Sequence, residues 1–166
     1  MKTNESPNFN EILAAYEKIP GKLTTAVADI PTEKLDIVGG KSNMSLRETV
    51  HHLVEANIVA ASMMIAALGS DRATYDWSWL WPGRDWCDRM RYEAVPLDAA
   101  ITTLDGLIHH IVNIINVRPD AAERKVSVHD LPGETPYFRT VAEILQQEAN
   151  HVDEHLAEIM STFDGE

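Results

Sequence analysis

Residues 45–68 read SLRETVHHLVEANIVAASMMIAAL, and this stretch decides the fold class. Ser45 and Glu48 have the spacing of a capping box, in which each side chain accepts a hydrogen bond from the backbone amide of the other residue. Apolar residues then recur at intervals of three and four until Gly69, a residue type that commonly ends a helix. The stretch therefore predicts one long helix with a defined start and a defined end.

Three further stretches show the same apolar spacing: they extend from about Phe9 to Ile30, from about Pro96 to Val117, and from Thr140 to about Phe163. Pro20-Gly21 predicts a kink or a split in the first of them. Thr140 and Glu143 form a second capping box. No alternating pattern typical of a strand extends beyond a few residues. We therefore expect an all-α four-helix bundle that occupies residues 1–166 as a single domain.

Composition and charge narrow the class of protein. The chain has 166 residues, of which 45% are hydrophobic, and this is enough for a sizeable core. It carries 26 Asp and Glu against 14 Lys and Arg, and the formal net charge of −12 disfavours nucleic-acid binding. The single cysteine, Cys87, gives no sign of an oxidising compartment. No apolar run approaches the roughly 18 residues of a membrane span, and the first residues lack the pattern of a signal peptide. We expect a cytoplasmic protein that does not bind membranes.

Two connections, residues 70–95 and 118–139, are long for a compact domain, which is typical of segments with a function. The first holds four tryptophans and three arginines, which are Trp77, Trp79, Trp81, Trp86, Arg84, Arg89 and Arg91. This tryptophan-rich loop either walls a substrate pocket, with an arginine for an anionic group, or packs against the bundle end or a partner subunit. Cys87 lies in the same loop without a neighbouring base, so a catalytic thiol is not expected.

His151 and His155 lie at the border of the apolar stripe of the last helix. Their i, i+4 spacing places the two Cβ atoms about 5–6 Å apart, from which both imidazoles can reach one metal ion. Two ligands hold a metal weakly, so a third has to come from elsewhere in the fold. The alternative is that either histidine simply pairs with a neighbouring carboxylate, such as Asp153, Glu154 or Glu158.

The second helix offers the third ligand. His51 shares a polar sector with Arg47 and Glu55, whereas His52 aligns with Ala56 on the flank of the apolar sector, so His52 is the better inward candidate. Three neutral imidazoles with open positions would form a site of the catalytic type, because structural zinc sites normally fill every position with protein ligands.

The remaining histidines, His109, His110 and His129, are expected to be solvated. Glu148 lies three residues before His151 near the apolar side of the helix. It is a weak catalytic candidate, since it could orient a ligand or accept a proton from a metal-bound water. Alternatively, it is a rim carboxylate paired with Arg or Lys.

The stretch Ser45-Leu-Arg-Glu-Thr-Val-His-His-Leu53, followed much later by His151-Val-Asp-Glu-His155, resembles the DinB/YfiT-like superfamily of metal-dependent enzymes. The order of elements agrees over nearly the whole chain. The resemblance implies that His52, His151 and His155 coordinate zinc, nickel or a similar divalent ion. It also implies an up-down-down-up connectivity and a homodimer. Relatives include transferases and isomerases that use a low-molecular-weight thiol, and others regarded as hydrolases.

Three functional hypotheses follow. The leading one is a metal-dependent enzyme, a hydrolase or thiol-dependent S-transferase, that activates water or a small thiol for a small-molecule substrate. The second is a non-catalytic module that binds a metal or a small ligand. The third is a purely structural dimeric bundle. Three imidazoles suit zinc, nickel, iron or copper.

Overall fold

The structure is a computed structural model that describes residues 7–28, 30–79, 83–129, 131 and 133–163. Its α-helices are α1 (Phe9–Glu17), α2 (Ile19–Ala28), α3 (Leu46–Gly69), α4 (Arg84–Met90), α5 (Leu97–Asn116) and α6 (Val141–Phe163). Its strands are β1 (Val38–Gly39), β2 (Met44–Ser45), β3 (Thr74–Asp76), β4 (Lys125–His129) and β5 (Tyr137–Thr140).

The long helices form a bundle, and the prediction of a mostly helical protein is confirmed. Helix α3 packs against α5 and α6, and the α1–α2 pair packs against the same two helices from the other side. The shared core is built from the apolar positions spaced by three and four along each helix. Its fully buried side chains include Tyr16, Leu53, Leu104, Ile111 and Leu145.

Both predicted capping boxes are present. Ser45 and Glu48 exchange side-chain-to-backbone hydrogen bonds at the start of α3, and Thr140 and Glu143 do so at the start of α6. These bonds satisfy backbone amides that no intrahelical carbonyl can reach. The starts of the two helices that carry the candidate histidines are therefore defined locally.

The predicted interruption of the first helical stretch is a split, and it lies at Lys18, just before Pro20. Proline is tolerated in the first turn of a helix, because the amide that it lacks would have no intrahelical partner there. Pro20 therefore lies within the first turn of α2, and the chain breaks ahead of it.

The strict all-α prediction is wrong, because the connections contain two small sheets. Strands β1 and β2 form a hairpin, while β3 pairs in parallel with β4, which pairs antiparallel with β5. In β4, Val126 and Val128 are buried and alternate with the less buried Ser127. This alternation is too short to stand out in a sequence. The strands form because the two long connections meet and satisfy each other's backbone groups.

One helix among the described residues, α3, is long and apolar enough to cross a membrane by length and composition alone. More than half of its most apolar segment is buried inside the fold. Such burial is typical of the core helix of a helical bundle, so the absence of membrane association stays a prediction.

Candidate metal centre

Three imidazoles from two helices meet between α3 and α6. Each of His52, His151 and His155 offers one ring nitrogen, and these atoms all lie within 4.8 Å of one another. The ring centroids are 4.8–5.1 Å apart, and the rings meet edge-on with interplanar angles of 62–88°. The structure thus brings together the three histidines that the sequence singled out.

The separation of the ring nitrogens is compatible with a shared cation. The Nε2 atoms of His52 and His151 are 3.2 Å apart. Two imidazole nitrogens bound at about 2.0–2.1 Å to a tetrahedral zinc ion lie roughly 3.3 Å from each other. This donor set fits a divalent ion, and three protein ligands leave a position open.

Burial favours the neutral form of His52 and His155, which is the form that a metal requires. Burial and the two neighbouring imidazoles lower the pKa of His52 to about 3. Burial and the adjacent His151 also lower the pKa of His155, although Glu158 and Glu154 oppose this. Both shifts favour the neutral form of His52 and His155, in which a ring nitrogen is free to ligate.

A carboxylate lies behind each histidine of α6. Glu148 Oε2 is 3.8 Å from His151 Nδ1, and Glu158 Oε2 is 3.8 Å from His155 Nδ1. Carboxylates in this position orient a ligating imidazole and select its tautomer. Glu148 is only 5% exposed, and within the described residues its Oε2 has no hydrogen-bond partner. The interpretation of Glu148 as a rim carboxylate paired with a basic residue is therefore wrong.

The turn between β1 and β2 holds Glu158 in place. Its Oε1 accepts a hydrogen bond from the Ser42 amide, and this bond is the main reason why the pKa of Glu158 is lowered. Gly40 adopts a φ of +69°, and a Cβ at this position would lie 2.5 Å from Glu158 Oε1. Glycine is thus required there both for its backbone conformation and for the close approach.

The cluster opens into a cavity of about 1170 Å³ between α3, α6 and the tryptophan-rich loop. One wall is apolar and includes Ile12, Ala56, Val59, Met63 and Trp77. The opposite wall, from α6 and β5, is polar and includes Arg139, Gln146, Gln147 and Glu148. A cavity of this size and mixed lining is suited to a small molecule.

The other histidines lie apart from the cluster. His51 belongs to a polar helical sector, yet it is only 6% exposed, because Tyr92 stacks on its ring and its Nε2 lies 3.3 Å from the Val95 carbonyl. His109 and His110 are exposed on α5, as expected. His129 is partly buried in β4, so the expectation that it lies in an exposed loop is wrong.

The tryptophans of the loop differ in their surroundings. Trp77 lines the cavity and packs on the main core. Trp86 instead packs the loop, because its indole N–H donates to Glu55 and to the Tyr92 hydroxyl. Trp79 is exposed, and Trp81 lies outside the described residues.

The arginines and the cysteine of this loop do not form a ligand site. Arg84 is paired with Glu48 and Asp88, while Arg89 and Arg91 are exposed. Cys87 is buried, and burial raises the pKa of its thiol. A protonated buried thiol is a poor nucleophile.

Sequence reasoning named Glu158 only as an alternative partner of a histidine that binds no metal, and it missed Arg139 as part of the cavity. Glu158 follows His155 by three residues, just as Glu148 precedes His151 by three, and this symmetry was the available signal. Arg139 had no comparable signal, because its place depends on how β5 pairs.

A helical bundle with this histidine cluster has the DinB/YfiT-like fold, and solved structures bear this out. YfiT from Bacillus subtilis, described as a probable metal-dependent hydrolase with an unusual four-helix bundle topology, superposes with a TM-score of 0.76 at 16% identity, over 97% of this chain and 89% of that one. A mycothiol-dependent maleylpyruvate isomerase superposes with a TM-score of 0.69 at 10% identity, over 96% of this chain and 63% of the isomerase. No family model and no curated protein sequence matches the chain.

Proposed function

We propose that this protein is a metal-dependent enzyme in which His52, His151 and His155 hold one divalent cation, zinc or nickel. The observation that carries the proposal is the convergence of three imidazoles at a large cavity. A structural site would fill its coordination sphere with protein ligands, whereas this one leaves a position that faces the cavity.

The bound cation supplies Lewis acidity, which makes a nucleophile available from water or from a small thiol near neutral pH. Glu148 and Glu158 lie 3.8 Å from the Nδ1 atoms of His151 and His155, close enough for each carboxylate to orient its ring once a metal is bound. The free Oε2 of Glu148 can also accept a proton beside the cluster. The apolar wall of the cavity limits the access of bulk water to the reacting atoms.

The reaction is hydrolysis or thiol-dependent S-transfer to a small-molecule substrate. Transfer would need a low-molecular-weight thiol from the cell, because Cys87 is buried and does not line the cavity. The descriptions of the two structural neighbours, a metal-dependent hydrolase and a mycothiol-dependent isomerase, support one chemistry each.

Calorimetric titration with zinc and with nickel tests the metal site. We expect the wild-type protein to bind one ion, and we expect His52→Ala, His151→Ala and His155→Ala each to weaken binding at least 100-fold, a typical cost of losing one of few ligands. His109→Ala is the matched control, because it removes an exposed imidazole. Binding that survives in the triple alanine variant would refute the site.

The alternative is a non-catalytic metal- or ligand-binding module, which the mixed lining of the cavity would also suit. A turnover screen with esters, amides and pairs of electrophile and thiol separates the two. Elemental analysis of untagged protein separates both from a purely structural bundle.

The remaining features of the proposal concern assembly and location. We propose a single domain over residues 1–166, an up-down-down-up helix connectivity, a homodimer and a cytoplasmic location. The acidic net charge supports small-molecule rather than nucleic-acid partners.

A further inference from the structure

Arg139 is a partly buried cation without a carboxylate partner within 4 Å among the described residues. The other partly buried arginines each contact a carboxylate, in the pairs Arg47–Asp36, Arg84–Glu48, Arg118–Asp120 and Arg124–Asp71. In a chain with a net charge of −12, an unpaired arginine inside a cavity is an exception. Partly buried charges are normally compensated, so this one calls for an anion.

The pairing of β5 turns Arg139 toward the bundle. Arg139 lies directly opposite Val126 of β4, and side chains at opposite positions of paired strands project from the same face of the sheet. Val126 and Val128 are buried in the core, so the side chain of Arg139 projects from the inward face of the sheet and lines the cavity. Its position is therefore set by the fold.

Neutral groups hold the guanidinium in place. Arg139 donates to the side-chain oxygen of Gln147 and lies over the ring of Tyr137 at 6.0 Å. Arg139 acts electrostatically on the carboxylate of Glu143, but one oxygen of that carboxylate accepts from both the amide and the hydroxyl of Thr140 in the helix cap. Most donors of the guanidinium remain available.

The position of Gln147 sets the distance to the histidine cluster. Gln147 and His151 are one helical turn apart on the same face of α6, which corresponds to a rise of roughly 6 Å. Arg139 therefore contacts α6 at a residue one turn before His151, on the face that carries this proposed metal ligand.

A second unpartnered group in the same cavity also calls for a hydrogen-bond acceptor. The indole N–H of Trp77 is buried, and within the described residues it has no acceptor. Trp77 lies on the apolar wall with Val59 and Met63. The cavity thus combines an apolar surface with a guanidinium that has no carboxylate within 4 Å among the described residues, and this favours an amphipathic anion.

We propose that Arg139 is the carboxylate-binding residue of this cavity, and that the site takes apolar small molecules that carry a carboxylate at the end remote from the reacting atom. This inference rests on the proposed function, because the reacting atom is placed at the histidine cluster. The carboxylate belongs either to the substrate that is transformed or to a small thiol that reacts with it.

Two matched pairs of probes test the proposal. Mercaptohexanoate and mercaptohexanamide are titrated into cobalt-loaded protein, where a thiolate bound to the ion changes the absorption spectrum. Phenylbutanoate and phenylbutanamide, which carry no thiol, are titrated into metal-free protein and followed by tryptophan fluorescence. Each pair is measured in the wild type, in Arg139→Gln and in Arg72→Gln, which removes an exposed charge outside the cavity.

We expect the wild type and Arg72→Gln to bind a carboxylate about tenfold more tightly than its amide, and Arg139→Gln to bind both equally. Retained amide binding shows that the variant is folded. A preference restricted to the thiol pair assigns the carboxylate to a thiol co-substrate, and one restricted to the other pair assigns it to the substrate. Equal binding of acid and amide by the wild type in both pairs, or an undiminished preference in Arg139→Gln, overturns the proposal. A loss of cobalt binding with a preserved preference in the metal-free protein would instead refute the proposed function alone.

Discussion

Replacing Glu48 with alanine should destabilise the fold more than the loss of a helix cap explains. The Glu48 carboxylate accepts from the Ser45 amide at 2.8 Å and from two guanidinium nitrogens of Arg84, one of them at 2.9 Å. Glu48 is only 8% exposed. One side chain thus caps α3 and ties α4 to it.

The expected loss combines these two interactions. Losing the cap costs about 1 kcal/mol. Breaking a fully buried ion pair costs about 3–5 kcal/mol. The value here is smaller, because the Arg84 side chain is 35% exposed and retains Asp88 at 2.8 Å, so solvent and the second carboxylate compensate part of the charge. We therefore expect Glu48→Ala to lower the free energy of unfolding by about 2–3 kcal/mol in total.

The chain offers a matched control in α1. Glu11 forms the same capping box with Asn8, accepting from its amide at 2.9 Å, but it is exposed and contacts no arginine among the described residues. Glu11→Ala should cost about 1 kcal/mol or less. Urea unfolding at neutral pH measures both variants, provided that the slope m stays unchanged. Equal losses in the two variants would refute a stabilising role for Arg84.

Two further predictions concern the pH dependence of stability and the core. Burial raises the pKa of Glu48, but the hydrogen bonds from Arg84 and from Ser45 more than offset this, so the pKa lies below its ordinary value of 4.5. The ionised Glu48 therefore stabilises the fold above pH 4.5, and this stabilisation is lost as the pH falls through the lower pKa of the folded state. In urea titrations between about pH 7 and pH 3, Glu48→Gln should lose less stability than the wild type. An equal loss in both proteins would contradict this role of the Glu48 carboxylate. In the core, Ile111 is fully buried on α5, so Ile111→Ala should cost about 3 kcal/mol in the same assay, whereas Ile65→Ala, at a position that is 47% exposed, should cost less than about 1 kcal/mol. Similar losses in these two variants would argue against the core as described.

Much of the fold could be predicted because its signals are local. The capping boxes at Ser45 and Thr140 define where α3 and α6 begin, and the apolar spacing defines their buried faces. The strands could not be predicted in the same way. Val126 and Val128 alternate over only five residues, and β4 exists because two segments distant in sequence lie beside it.

The candidate site was predictable to a different extent for each residue. His151 and His155 share one helix, so their spacing sufficed to place them together. The polar sector of His51 suggested contact with solvent, but Tyr92 covers the ring, and no periodicity within α3 reports a residue more than 40 positions away. Arg139 lines the cavity because the pairing of β5 with β4 places it opposite Val126. This pairing is a tertiary contact, which the neighbours of Arg139 in the sequence do not report.

The sequence by itself determined the long helices, their starts and the histidines worth considering, since hydrogen-bonded caps and helical periodicity act over a few residues. Only the tertiary structure decided that His52 meets the pair on α6, that Glu148 is buried beside His151, and that Arg139 lines the same cavity. These outcomes depend on which helices and strands become neighbours, and burial and Coulomb interactions between distant segments take effect only once the chain has folded.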